Sequence, residues 1–453
     1  MTISQYDAAL AGVAPESLVN NDDAAPAVDD VEYRKRGRKA LFGAIFGFFV
    51  DMYDVYLPVI ALAPAIHFFV SKDASSTEVA TVFGLIFAVS LVGRPLGALI
   101  FGVLGDKWGR RRTTILVAAG FTICTGLIAL LPGYETWGGW CLVALITLRL
   151  LDGVFLGGEY TAANPLAMEY APPARRGLYG ALINSGMPAA LFSITLITMA
   201  VIAFAGDKAA YEAWGWRIPF VIGFFLSLWV FVYYLRSVPE SEVWTKIEKG
   251  GNPLRELFSK KHIGSLGICF LVGTGAWLTQ NGTLGSFPGH FNHLGADSIN
   301  INITVLIAAL SCVVIFPLLG DAAQRFGRGR VLTAIGIINI LITPVLYGIA
   351  IANWDDPKVM IGASVIAFIS TLSIWAVVTA FIIEMFPSNI RSTGYGVAYS
   401  MPSLLPAFYT YYMVGLSRVM PYDYTPLVFI VLGGISILVG AGLAKDLRHT
   451  TLD

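Results

Sequence analysis

The chain has 453 residues, 56% of them hydrophobic and only 13% charged, with 30 Lys and Arg balancing 30 Asp and Glu. Its mean hydropathy is +0.69. A soluble domain carries about a quarter charged residues, so this composition excludes a soluble enzyme and, with no continuous basic stripe, a nucleic-acid-binding module.

Residues 1–33 are polar, rich in Ala, Asp and Asn, and lack periodicity, which reads as a disordered cytoplasmic N-terminal tail. A basic cluster, Arg34 to Lys39, leads directly into an apolar run too long for a signal peptide. From there the sequence predicts twelve membrane spans, at 41–69, 79–104, 113–132, 140–167, 177–205, 216–235, 263–287, 299–319, 331–350, 359–384, 395–417 and 426–444. The expected fold is all-α: two six-helix bundles, 34–235 and 263–453, joined by a cytoplasmic linker at 236–262 and ending in a short cytoplasmic tail. The four cysteines, Cys124, Cys141, Cys269 and Cys312, lie in or beside apolar runs without metal-ligand spacing and read as small buried hydrophobes.

Charge asymmetry tests this map. With the N-terminus inside, 23 of the Lys and Arg residues fall in inner segments, five in outer segments, and two, Arg94 and Arg149, within spans. A wrong helix count would scramble that bias, which places both termini in the cytoplasm. The halves also echo each other. Gly105-Asp106 recurs as Gly320-Asp321, and Glu169 with Pro172 as Glu384 with Pro387, all at an offset of 215. Repeated bundles holding a solute between them are a common construction of secondary transporters.

The loop Gly105-Asp106-Lys107-Trp108-Gly109-Arg110-Arg111 resembles the signature between helices two and three of the major facilitator superfamily. Arg149 to Gly153, Gly157-Gly158-Glu159-Tyr160, and Glu169 to Gly177 are similar to the fourth-helix region of its metabolite:proton symporters and sugar porters. Glu384 to Gly394 is similar to the second-half counterpart, and Pro239-Glu240-Ser241 to the signature after helix six. The resemblance covers residues 34–448 and implies alternating access. For the metabolite:proton branch it implies uptake of small organic acids or zwitterions. The first helix reads Asp51-Met52-Tyr53-Asp54, keeping the acidic positions but with Met52 where an aromatic is common. The long C-terminal coiled coil of osmosensing members is missing from this sequence, which argues against osmosensing.

Six ionisable residues fall inside spans: Asp51, Asp54, Arg94, Arg149, Asp152 and Glu159. A lone charge in hydrocarbon costs roughly 2.5–3.5 kcal/mol by insertion scales, so these groups should face one another or a cavity. Four carboxylates against two guanidiniums leave surplus acid able to take up protons, which is the chemistry of proton symport. Asp54, Asp51, Arg149 and Asp152 are the expected proton-coupling set, with Asp54–Arg149 as the first pairing. Arginine stays charged and cannot itself carry the proton. The alternative is that Arg94–Asp51 and Arg149–Asp152 are fixed structural pairs.

Arg94 and Arg149 are the candidate partners of a substrate anion, with Tyr53, Tyr56, Asn184, Trp277, Gln280, Asn281 and Trp375 as further candidate binding residues. The polar, glycine-rich stretch after Trp277 resembles the broken seventh helix of sugar porters. Asp106, Arg110, Glu159, Glu169, Arg176, Asp321, Glu384 and Arg391 are expected to gate the inner side. There is no Gly-x-x-x-x-Gly-Lys-Ser/Thr phosphate loop, which leaves the proton gradient as the energy source and no cofactor or metal. The expectation is therefore a monomeric inner-membrane symporter of a small organic anion with protons, surrounded by lipid. An uncoupled facilitator or exchanger, and a sugar:proton symporter, stand as alternatives.

Overall fold

The computed structural model describes residues 28–71, 73–74, 76–246 and 251–448, and every regular element among them is a helix. Residues 1–27 of the expected tail lie outside the described residues. Residues 28–33 are not tail, because α1 begins at Val28 and runs to Tyr56. Arg36 holds this extension by binding Glu32 one turn back at 3.4 Å and Glu242 of the inter-bundle segment at 3.0 Å. Beyond Tyr56 the same span continues through a widened turn, Leu57–Leu62, and a tightened one, Ala63–Phe68. Pro58 and Pro64 lack the backbone donors that a regular helix would use there.

The remaining first-half spans are α2 (Ser76–Trp108), α3 (Arg110–Ala129), α4 (Trp140–Glu169), α5 in two pieces (Arg176–Asn184 and Gly186–Ala205) and α6 (Arg217–Ser237). In the second half α7 (Ile263–Gln280) widens over Asn281–Gly285 before resuming at Phe287–Leu294. It is followed by α8 (Ser298–Phe326), α9 (Arg328–Leu341 and Thr343–Ala352) and α10 (Pro357–Leu372 and Trp375–Glu384). Eleven spans among the described residues are long and apolar enough to cross a membrane unaided. The exception is α11. Pro402 and Pro406 break it into Arg391–Ser400 and Tyr409–Leu416, joined by short tight turns. The last span is α12 (Thr425–Leu443).

Within the first bundle, α2 and α4 make the closest crossing. Gly93 and Gly97 face Gly153 and Gly157, and a Cβ at any of the four would enter the backbone of the other helix. Small residues spaced by four allow this approach in lipid, where there is no hydrophobic force to bring helices together. Arg94 lies inside this seam, with Arg149 and Asp152 immediately before Gly153. Packing thus fixes the charges at one depth. The bundles meet where α11 lies on α2 and α4, and where α8 and α10 lie on α5. The repeat extends to backbone detail: Gly109 (φ 114°) and Gly327 (φ 104°) turn the chain into α3 and α9 at equivalent places, in a conformation that disfavours any side chain. Leu96, Ile123, Phe225, Leu318 and Val439 are among the large apolar side chains exposed on the outer belt of the molecule, as lipid contact requires.

Candidate functional site

A cavity of about 590 Å³ lies between the two halves. Its mouth includes Pro64, Ile202, Asn292 and Ser298, beside the loops that follow α1, α5 and α7. Toward its closed end are Arg94, Trp375 and Tyr399, each no more than 4% exposed. Of the expected binding residues, Arg94, Tyr56, Trp277, Gln280, Asn281 and Trp375 line it.

Three of the expected residues lie away from the cavity wall. Tyr53 turns away and donates its hydroxyl to the Pro219 carbonyl at 3.2 Å, filling the α1–α6 contact. Asn184 donates to Thr379 at 2.5 Å and to the Gly180 carbonyl, inside the packed α5–α10 interface. Arg149 is fully buried within the first bundle and is not among the lining residues. Among the neutral wall residues that sequence reasoning missed are Tyr399, Thr195, Thr198 and Tyr409. All are neutral, and an isolated hydroxyl in an apolar helix gives no signal of which way it points.

Arg94 is the only Lys or Arg on this wall among the described residues, and no Asp or Glu lines it. One Nη binds Asp51 Oδ2 at 2.7 Å, while its Nε and other Nη have no partner. The guanidinium lies 5.0 Å from the centre of the Tyr160 ring. From the second half, Trp277 and Trp375 also line the cavity and meet edge to face at 5.2 Å, and Trp375 abuts Tyr399 at 5.4 Å. Both indole N–H groups and Gln280 Oε1 lack partners. Wall residues thus carry two guanidinium donors, two indole donors and an amide oxygen, all without partners and buried at the aromatic surface in this state. Such a set fixes one anionic group and a compact apolar body.

Behind the cavity a second cluster is sealed inside the first bundle. Arg149 donates to Asp54 Oδ1 at 2.9 Å and stands 3.3 Å from Asp152 Oδ2. The Thr125 hydroxyl donates a short bond to Asp54 Oδ2. Neither oxygen of Asp152 accepts a hydrogen bond. Both ways of pairing Arg149 that the sequence allowed thus coexist, two carboxyls sharing one guanidinium.

The far end of the cavity is closed by the repeated loops. Asp106 accepts from the backbone N–H groups of Ser392 and Thr393, at 3.1 and 2.9 Å, and from the Thr393 hydroxyl at 2.6 Å. A carboxylate of the first half therefore caps the N-terminus of α11 in the second, where the helix dipole favours negative charge. Glu169 forms a short ion pair with Arg110 and another with Arg391, at 2.5 Å, across the interface. Arg110 also donates to the Ser388 carbonyl at 2.9 Å. In the second half Glu384 pairs with Arg328 at 2.9 Å, while in the first half Arg176 is buried at the start of α5.

Two of the expected gate residues stand elsewhere. Asp321 pairs with Arg325 on its own helix at 2.7 Å, with both side chains well exposed. Its counterpart role at the start of α5 falls to Gln324, which accepts from the Gly177 N–H at 3.0 Å and donates to the Pro173 carbonyl at 3.1 Å. Asp321 cannot serve there because it faces outward one turn earlier. Glu159 touches none of these pairs. It is buried higher in the first bundle with no hydrogen-bond partner.

The comparisons with known proteins agree with this architecture. The family model described as Major Facilitator Superfamily matches residues 44–410. The ectoine/proline transporter ProP of Corynebacterium glutamicum is 30% identical over 83% of this chain and 77% of its own length. The inner membrane metabolite transport protein YhjE of Escherichia coli is 26% identical over 91% and 95%, and the Escherichia coli alpha-ketoglutarate permease 27% identical over 81% and 84%. Among solved structures, the proton:xylose symporter XylE bound to 6-bromo-6-deoxy-D-glucose superposes with a TM-score of 0.74 at 18% identity, covering 91% of this chain and 98% of that one, a likeness of fold. A two-bundle membrane fold, a solute-sized cavity between the bundles and a family match over most of the length converge: the chain belongs to the major facilitator superfamily, as a multi-pass secondary transporter of small polar or charged metabolites that works by alternating access.

Proposed function

We propose that this protein imports a small organic anion bearing one carboxylate together with protons, across the cell (inner) membrane. The observation that carries the proposal is Arg94: a buried guanidinium on the cavity wall, half spent on Asp51 and half unspent. When Asp51 is ionised, the pair is neutral and the cavity has little to offer an anion. Once Asp51 takes a proton, Arg94 carries a free charge toward a substrate carboxylate. Proton and anion thereby favour each other at one arginine, which is a coupling free energy between two ligands. Asp54, Asp152 and Arg149 form a second buried acid–base set that shifts protons within the first bundle. The relatives named for ectoine, proline, alpha-ketoglutarate and shikimate handle solutes that share a carboxylate, which supports this class.

The bias of Lys and Arg toward the repeated loops supports cytoplasmic termini and a cytoplasmic linker at 236–262. In that orientation the cavity opens outward and the gate of Asp106, Glu169, Arg391 and Glu384 is shut, the loading state of an importer. One chain encloses the whole cavity, which suits a monomer working in lipid. Purified protein in liposomes should accumulate a labelled monocarboxylate under an inwardly directed proton gradient and lose that accumulation with a protonophore. Equal uptake with and without the gradient would replace symport with facilitation.

A further inference from the structure

Glu159 is 0% exposed, and neither of its carboxyl oxygens has a hydrogen-bond partner. It occupies a slot between α1, α4 and α6 that the sequence has made room for: a Cβ at Gly47 would collide with Oε1. The Tyr234 hydroxyl, also buried and unpartnered, lies 3.3 Å from that same point. Gly47 is one turn nearer the inner end of α1 than Asp51, and Glu159 is two turns nearer the inner end of α4 than Asp152. The slot thus sits between the cavity and the inner gate. The ionisable groups that face it are Asp51 of α1, Arg94 of α2, Tyr234 of α6 and Tyr395 of α11. A packing role would be met by an apolar side chain. An ionised carboxylate without a donor would be costly there, whereas a neutral acid is tolerated.

We infer that Glu159 is a proton-binding site, the station from which the coupled proton leaves toward the inner side. In the outward-facing state it holds one proton in the dry slot. When the halves rock and the inner gate parts, water enters, the proton passes to the inner solution, and Glu159 is left ionised. Asp51, the acid that faces it from the cavity side, refills it, so that one proton crosses per cycle. This inference rests on the symport proposed above and adds to it a residue that neither lines the cavity nor joins the gate pairs.

The test compares wild type, Glu159→Gln and Glu159→Asp in proteoliposomes, using a transported monocarboxylate. Glu159→Gln should exchange labelled for unlabelled solute within about twofold of wild type while accumulation driven by a proton gradient falls at least tenfold. Glu159→Asp should restore much of the accumulation. Infrared spectroscopy of the wild type should show a protonated carboxylic C=O band that Glu159→Gln lacks, a signature that a packing role would not produce. Full accumulation by Glu159→Gln, or parallel loss of exchange and accumulation in protein that still melts cooperatively, would overturn the assignment. Should Glu159→Gln not fold, the same infrared band must shift in Glu159→Asp or in Tyr234→Phe, and its persistence unchanged in both would overturn it. A wild type that moves solute with no proton would remove symport itself, a failure visible before any variant is made.

Discussion

Replacing Arg94 by Gln separates two consequences of one ion pair. The Arg94–Asp51 bond is 2.7 Å long, with side-chain exposures of 4% and 0%, so water screens it little. Removing one partner of a buried pair leaves the other uncompensated and costs about 3–5 kcal/mol of stability. For the substrate, loss of a buried charge-assisted contact costs about 2–5 kcal/mol, at least ~30-fold in Kd. The double variant Asp51→Asn/Arg94→Gln removes the stranded carboxylate as well. It should recover most of the lost thermal stability but none of the lost affinity. Melting in detergent and quenching of tryptophan fluorescence by solute measure the two quantities on the same samples, since Trp277 and Trp375 line the cavity. Solute affinity within threefold of wild type for Arg94→Gln would refute Arg94 as the carboxylate site. Failure of Asp51→Asn to restore stability would refute the pairing argument.

Asp54→Asn should abolish proton-driven accumulation while sparing solute exchange, and normal accumulation would remove Asp54 from the coupling set. Glu169→Gln, which weakens the links to both Arg110 and Arg391, should shift the resting population toward the inward-open state. Thiol labelling of a cysteine placed at Ser392 should then speed up several-fold, and an unchanged rate would make the network incidental to gating. Gly157→Val, driven into the Arg94 backbone, should cost more than ~3 kcal/mol and abolish folded yield. Gly362→Ala, with nothing within 4 Å of the added Cβ, should express as wild type.

The spans were legible because hydrocarbon imposes a length and a charge rule that few sequences meet by accident. Their interruptions were less so: the glycines and Pro288 after Gln280 announced the irregular α7, whereas the break of α11 at Pro402 and Pro406 lay within a run that read as one continuous span. The charged residues were found because charge in a span is costly anywhere, yet their destinations depended on helix rotation. Arg94 faces the cavity and Arg149 does not, although both are lone arginines in apolar helices. Asp321, expected from the repeat, pairs on its own helix. The offset of 215 that aligns it with Asp106 does not bring it to α5, and Gln324 one turn further on makes the contact instead. An internal repeat transfers backbone positions more faithfully than it transfers side-chain partners.

The most direct measurement records lumenal pH and labelled solute together in proteoliposomes as a monocarboxylate is added outside. Symport at Arg94 predicts acidification in step with solute entry at a fixed proton-to-solute ratio, after correction for leakage of the undissociated acid, and loss of both in Arg94→Gln. Solute entry with no change in lumenal pH would contradict it and return Asp51 to a structural partner of Arg94.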